Sequence, residues 1–196
     1  MSKRKKQVKR QQPLSPKKYI VTRARSLPVY KCMVNSNWKA SGMASIIVMR
    51  KHSNGHITAG FFLTDLLAKG VKDTHFVFNE PEREIYDRLP ESQEIGEIKY
   101  ELAHNIIYGG VAFAEEHGMQ PHKDFDITQY ILAEDTDAIE LIDIDFGVDG
   151  KPVFFSNGEG DNDGEQESHD DFYSFSDDDW REFLNSPIKI EDDEVA

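Results

Sequence analysis

Glu101, His104 and Tyr108 stand at i, i+3 and i+7 in the sequence YELAHNIIYGG. On a helix that spacing puts all three along one edge, where a carboxylate can orient an imidazole and raise its pKa for acid–base chemistry. Glu-x-x-His is also half of a carboxylate-bridged di-iron set, but such a site needs a second copy and two further carboxylates. Only one copy is present. The plainer alternative is a helix-surface pair of Glu101 and His104, with the Tyr108 ring packing at the boundary. Asp65 is the second catalytic candidate. If the strand from His56 continues, Asp65 shares a face with Ile57, Ala59, Phe61 and Leu63, which would bury a carboxylate. The local alternative is that Asp65 caps a single turn, Leu66 to Lys69, stopped by Gly70, with Lys72 and Asp73 close by.

Metal chemistry finds little support. Glu101, His104, His117 and the Pro121-His122-Lys123-Asp124 turn offer nitrogen and oxygen ligands, yet no two of these histidines have the spacing of H-E-x-x-H. Residues 159–170 place Glu159, Asp161, Asp163, Gly164 and Asp170 on calcium-loop positions. Glutamate at the first position, aspartate at the twelfth and Gln166 at the eighth break the pattern, and an acidic stretch produces such matches by composition. No metal or other cofactor is therefore assigned.

Charge divides the chain into three electrostatic objects. Residues 1–28 hold ten Lys/Arg and no Asp/Glu. Residues 157–196 hold fifteen Asp/Glu against two Lys/Arg, and the body between them 21 against 11. In the basic arm, Lys3, Arg4, Lys5, Lys6, Lys9 and Arg10 form a cluster that suits a phosphate backbone, bound through counterion release without base reading. RNA or another polyanion is the partner this predicts. The acidic tail could instead pair with the arm within the molecule. Near its end, FYSFSDDDWREFL combines a Ser176–Asp179 capping box with Trp180, Phe183 and Leu184 on one helical face. That is a form taken by partner-binding segments; the alternative is that the turn docks on the protein's own sheet.

The elements that must position these residues follow from periodicity. VYKCMV alternates as a strand, and MASIIVMRK and GHITAGFFL flank Asn54-Gly55, a two-residue hairpin signal. VKDTHFVFN reads as another strand. In EIGEIKYELAHNIIYGGVAFAEEHG, residues Leu102, Ala103, Ile106, Ile107, Gly110, Phe113 and Ala114 share one side of a helix that Gly118 and Pro121 end. ITQYILAED suggests a short helix after Asp126, and AIELIDIDFGVDGKPVFFS a second hairpin around Asp149-Gly150. The predicted fold is α+β: an antiparallel sheet built from the two hairpins, with one long and one short helix packed on it. Residues 1–18 are expected to be a disordered basic arm and 19–156 a single domain. Residues 157–196 are expected to form a mostly disordered acidic tail with a short aromatic helical turn near 176–185. Cys32, alone of its kind, excludes an internal disulfide, and neither a membrane-length apolar run nor a secretory leader is visible, so a cytoplasmic location is expected.

GFFLTDLLAKGVKDT, ELAHNIIYGGVAFAEEHGMQPHKDF and FGVDGKPVFF together resemble the pattern of an uncharacterised bacterial protein family over roughly residues 30–156. The resemblance implies one coherent domain in a bacterial cytosol, and it transfers no catalytic residue.

Three functions follow as expectations. The first is a binding module associated with RNA or a ribonucleoprotein through its arm. The second is a small metal-assisted or acid–base hydrolase using Asp65, Glu101, His104 and His122, and the third a protein–protein adaptor working through the aromatic segment. For the enzyme, two glycines after Tyr108 predict a groove beside Glu101, His104 and Tyr108, reached also by His122 and leaving His104 partly exposed. Convergence of Asp65, His104 and His122 on one pocket is the observation that separates the enzyme from the binding module.

Overall fold

The computed structural model describes residues 14–89 and 94–154. In chain order these form α1 (Pro16–Arg23), β1 (Val29–Asn35), α2 (Trp38–Ser41), β2 (Met43–Lys51), β3 (Ile57–Asp65), β4 (Gly70–Glu80), α3 (Glu82–Tyr86), β5 (Ile95–Ile98), α4 (Tyr100–Glu116) and α5 (Phe125–Thr128). Short 3₁₀ turns at Ala24–Ser26 and Gln129–Ile131 follow α1 and α5. The strands make one antiparallel sheet in the order β4-β3-β2-β1-β5. The α+β architecture expected from the sequence is therefore present.

The pleat explains the layering. On one face Cys32, Val34, Ile46, Val48 and Phe62 meet the apolar stripe of α4, where Ala103, Ile106, Ile107 and Val111 are buried. On the other face Ile47, Met49, Ile57, Ala59, Phe61 and Val77 gather around Ile85 of α3. Strand β3 is consequently buried along its whole length, which is why ITAGFFLTD reads as a near-continuous apolar run.

Four elements differ from the sequence reading. Between β2 and β3, His52 N–H bonds His56 O and Gly55 N–H bonds His52 O. Only Gly55 takes positive φ (+87°), so the connection is a three-residue loop and not a two-residue turn. The periodic segment from residue 94 is split: Ile95–Ile98 pairs with β1, and the helix starts at Tyr100. The short helix after α4 begins at Phe125, two residues earlier than the Asp126 cap implies, with Asp124 at its N-cap.

The fourth difference is the second hairpin. Its turn forms, with Asp149 and Gly150 both at positive φ and a Val148–Lys151 bridge, but its arms join no sheet. The alternation is real, for Ile142, Ile144 and Phe146 are half-buried while Leu141, Asp143 and Asp145 are exposed. What lies beneath is α4. Asn105 clamps the strap from both sides, donating to Glu140 O at 2.9 Å and accepting from Ile142 N–H at 3.1 Å.

Candidate functional site

Helix α4 carries a ladder of rings. Tyr100, His104 and Tyr108 are successive i, i+4 neighbours, with centroids 5.8 Å and 4.6 Å apart, and Tyr108 continues edge-on to Phe125 at 6.0 Å. The Tyr100 hydroxyl accepts from Ala133 N–H at 2.6 Å. His104 is 1% exposed, a core residue rather than the partly exposed groove residue expected, because the 129–135 segment closes over it. Its carboxylate neighbour is Asp135, Oδ1 lying 4.0 Å from Nδ1, and not Glu101. Nε2 is buried without a hydrogen-bond partner. Burial lowers the imidazole pKa, opposed by the Ala133 backbone and by Asp135. Burial likewise raises the Tyr100 and Tyr108 phenols.

Beneath the ladder lies Arg50, 4% exposed. Its guanidinium donates to Leu27 O at 2.5 Å, to Arg25 O at 3.3 Å and to Ile131 O. Leu27 and Ile131 stand at the ends of the two 3₁₀ turns, where carbonyls lack helical partners. A charge whose donors are spent on backbone carbonyls is a clamp tying the N-terminal segment and the 129–131 turn to the sheet. Burial lowers its pKa. Cys32 shares this face and is pushed up to about 12 by burial, against the lowering effect of Arg50, so it is a thiol and no nucleophile.

Asp65 realises both of its sequence readings. It ends β3, is 9% exposed, and its Oδ1 accepts from Leu67 N–H at 2.8 Å and Ala68 N–H at 3.2 Å. Residues 66–69 form a turn rather than a helical one. His122 sits elsewhere: its N–H bonds Val71 O, and its Nδ1 lies 3.8 Å from Asp73 Oδ1 and accepts from Asp124 N–H. Asp65, His104 and His122 thus each keep separate partners. Among the described residues, no group of three or more His, Cys, Asp or Glu is placed to hold a metal ion.

The room predicted beside Gly109 exists, but the chain fills it. A Cβ there would fall 2.7 Å from the Phe146 ring, and one on Gly110 would fall 2.7 Å from Thr64 Cγ2. The strap and the sheet therefore explain one glycine each.

Lys3, Arg4, Lys5, Lys6, Lys9, Arg10, Trp180, Phe183 and the 159–170 stretch lie outside the described residues. What is described of the basic region is its root. Residues 16–18, read as arm, are the first turn of α1, which buries Ile20 and leaves Lys17, Lys18 and Arg23 exposed. Beside Lys17 is a hollow of about 140 Å³, lined by His75, Phe76, Asp124, Ile127 and Thr128. No described helix is long and apolar enough to cross a membrane. Family models, curated proteins and solved structures give no match to this chain.

Sequence reasoning missed Arg50, Tyr100 and Asp135. Arg50 left a signal, because it stands in phase with Ile46 and Val48 on the core face of β2. Asp135 left none, being 31 residues from His104 and positioned only by the tertiary fold.

Proposed function

We propose that the protein is a binding module for single-stranded polyanion, RNA first, held by the basic arm and steered by its helical root. The observation that carries this reading is the junction at α1. Ile20 and Ala24 are fully buried, so the helix is fixed to the domain, and Lys17, Lys18 and Arg23 project from a rigid base. The hollow beside Lys17 adds a second kind of contact. At about 140 Å³ it is well below the 300 Å³ or more of an ordinary ligand pocket, and it suits a single planar ring against Phe76 and Ile127. Backbone charge combined with a stacking surface is how single strands are held without sequence reading. The hydrolase reading is not carried further, since Asp65, Glu101, His104 and His122 form no common set.

Fluorescence anisotropy with labelled single-stranded RNA tests the proposal. Binding should weaken steeply with salt, be lost when residues 1–13 are removed, and fall several-fold in Lys17→Gln and His75→Ala. Lys17 is exposed, whereas the His75 ring stacks on Phe61 at 4.5 Å, so thermal melts of His75→Ala accompany its binding curve. Salt-insensitive binding, or none at low salt, would overturn it.

A further inference from the structure

We propose that Ala133–Asp135 is a latch over His104, and that a second proton on the His104 ring opens it without unfolding the sheet. The three rungs of the α4 ladder converge on one residue of this segment. Ala133 donates its N–H to the Tyr100 hydroxyl at 2.6 Å, and its carbonyl accepts from the Tyr108 hydroxyl at 3.5 Å. The same backbone also bonds the imidazole. Nε2 has no partner, so Nδ1 makes that bond and carries the one proton of the neutral ring. The closed latch therefore fits the neutral imidazole alone. A proton on Nε2 would put a charged N–H in a site 1% exposed, with nothing to accept from it.

The groups around the ring do not offset that cost. Asp135 favours a cation, but it lies 4.0 Å from the already bonded Nδ1 and its side chain is 66% exposed, where solvent screens it. Glu134 is spent on Arg25 at 2.8 Å. Arg50 of β2 lies against Tyr100 and Arg25 against Tyr108, so a fixed cation already stands against the rung on either side. Cys32 of β1 is a neutral thiol. The cover itself is thin and pinned at both ends. Upstream, Ile131 and Leu132 are buried, with their carbonyls held by Arg50 and Arg25; downstream, Asn105 clamps Glu140 and Ile142. Between these points residues 134–138 are exposed, so lifting the span gives up a few polar contacts and little apolar burial. The pairing of β1 to β4 runs through none of these residues. Lifting admits water to Nε2, and the ring can then hold both protons. Burial keeps the imidazole pKa of the closed state below its ordinary value, so a falling pH favours the open state. Opening uncovers the ladder and parts Glu134 from Arg25, in the turn that follows α1. None of this depends on what the basic arm binds.

Proton–nitrogen NMR of the full chain between about pH 7.5 and about pH 5 tests the latch, with the His104 ring followed in the same samples. As the ring takes its second proton, the Ala133, Glu134 and Asp135 amides should shift with it. The Ala133 N–H should lose its protection against solvent exchange, while the Val48 and Phe62 amides keep theirs. In His104→Gln the three latch amides should stay in place over the same range. Asp135→Asn, a change at an exposed side chain, removes the neighbour that favours the cation and should move opening to lower pH. Tyr100→Phe deletes the acceptor of the Ala133 N–H and should move it to higher pH. Should His104→Gln not fold, this opposed pair decides the matter. A ring that stays neutral at about pH 5, or one that charges while the Ala133 N–H remains protected, would overturn the proposal. So would loss of Val48 and Phe62 protection in step with Ala133, which marks unfolding of the whole domain.

Discussion

At the scale of single residues, His104 shows how far spacing can be trusted. The i, i+3, i+7 relation to Glu101 and Tyr108 is geometrically correct, and the helix does stack His104 on Tyr108. Helical spacing fixes neighbours along one element; it carries no information on what arrives from elsewhere. The 129–135 segment arrives, covers the ring and replaces Glu101 with Asp135. Truncation should therefore be structural in effect, with His104→Ala costing about 2–4 kcal/mol in urea unfolding, as for other large buried side chains. The pH dependence follows from the sign of the shift. The folded-state pKa is lowered by burial, so below about pH 6.5 the unfolded chain binds a proton that the folded chain resists. Stability should fall as the pH drops from about 7 to 5, and His104→Gln should flatten that slope. His52, also lowered by burial, leaves a remainder of the same sign. A slope unchanged in His104→Gln would show that the ring is not the titrating group.

At the scale of elements, alternation was legible and its partner was not. LIDIDF places Ile142, Ile144 and Phe146 inward as a strand would, yet it lies on a helix. A period of two says that one face is buried; the identity of the opposing layer depends on which sheet edge is free to pair. The meander of β1 to β4 was readable because each strand is adjacent in sequence to its partner, whereas β5 pairs with β1 across some sixty residues and looked helical. The glycines of α4 connect the two lessons. An interior glycine costs roughly 1 kcal/mol relative to alanine, and Gly109 is tolerated because Phe146 lies where a Cβ would be. Gly109→Ala alone should destabilise the protein by about 1–2 kcal/mol by lifting the strap. In a Phe146→Ala background the same change should become stabilising by up to about 1 kcal/mol, because only helix propensity remains. Thermal melts of the four proteins in that cycle decide it, and additive effects would mean that Phe146 does not occupy the notch.

At the scale of the whole molecule, a body with 21 acidic against 11 basic residues should repel nucleic acid, and a basic arm must act outside its field. Screening makes that possible. The Debye length is about 10 Å at 0.1 M salt, and thirteen residues ahead of Leu14 can extend well beyond it. Contact and repulsion then separate in the salt dependence. The slope of log K against log salt counts phosphates neutralised, at roughly 0.7 per contact on a single strand, whereas long-range repulsion from body and tail shifts the affinity with little effect on the slope. Replacing Lys3, Arg4, Lys5 and Lys6 by Gln should reduce the slope by about 2–3. Changing Asp161, Asp163, Asp170 and Asp171 to Asn should raise affinity at low salt and leave the slope in place. If the acidic tail instead pairs residue by residue with the arm, RNA must displace those pairs and few counterions are released. Neutralising the tail would then steepen the slope. The two arrangements predict opposite behaviour in one titration series, an unchanged slope for a free arm and a steeper one for an arm held by the tail.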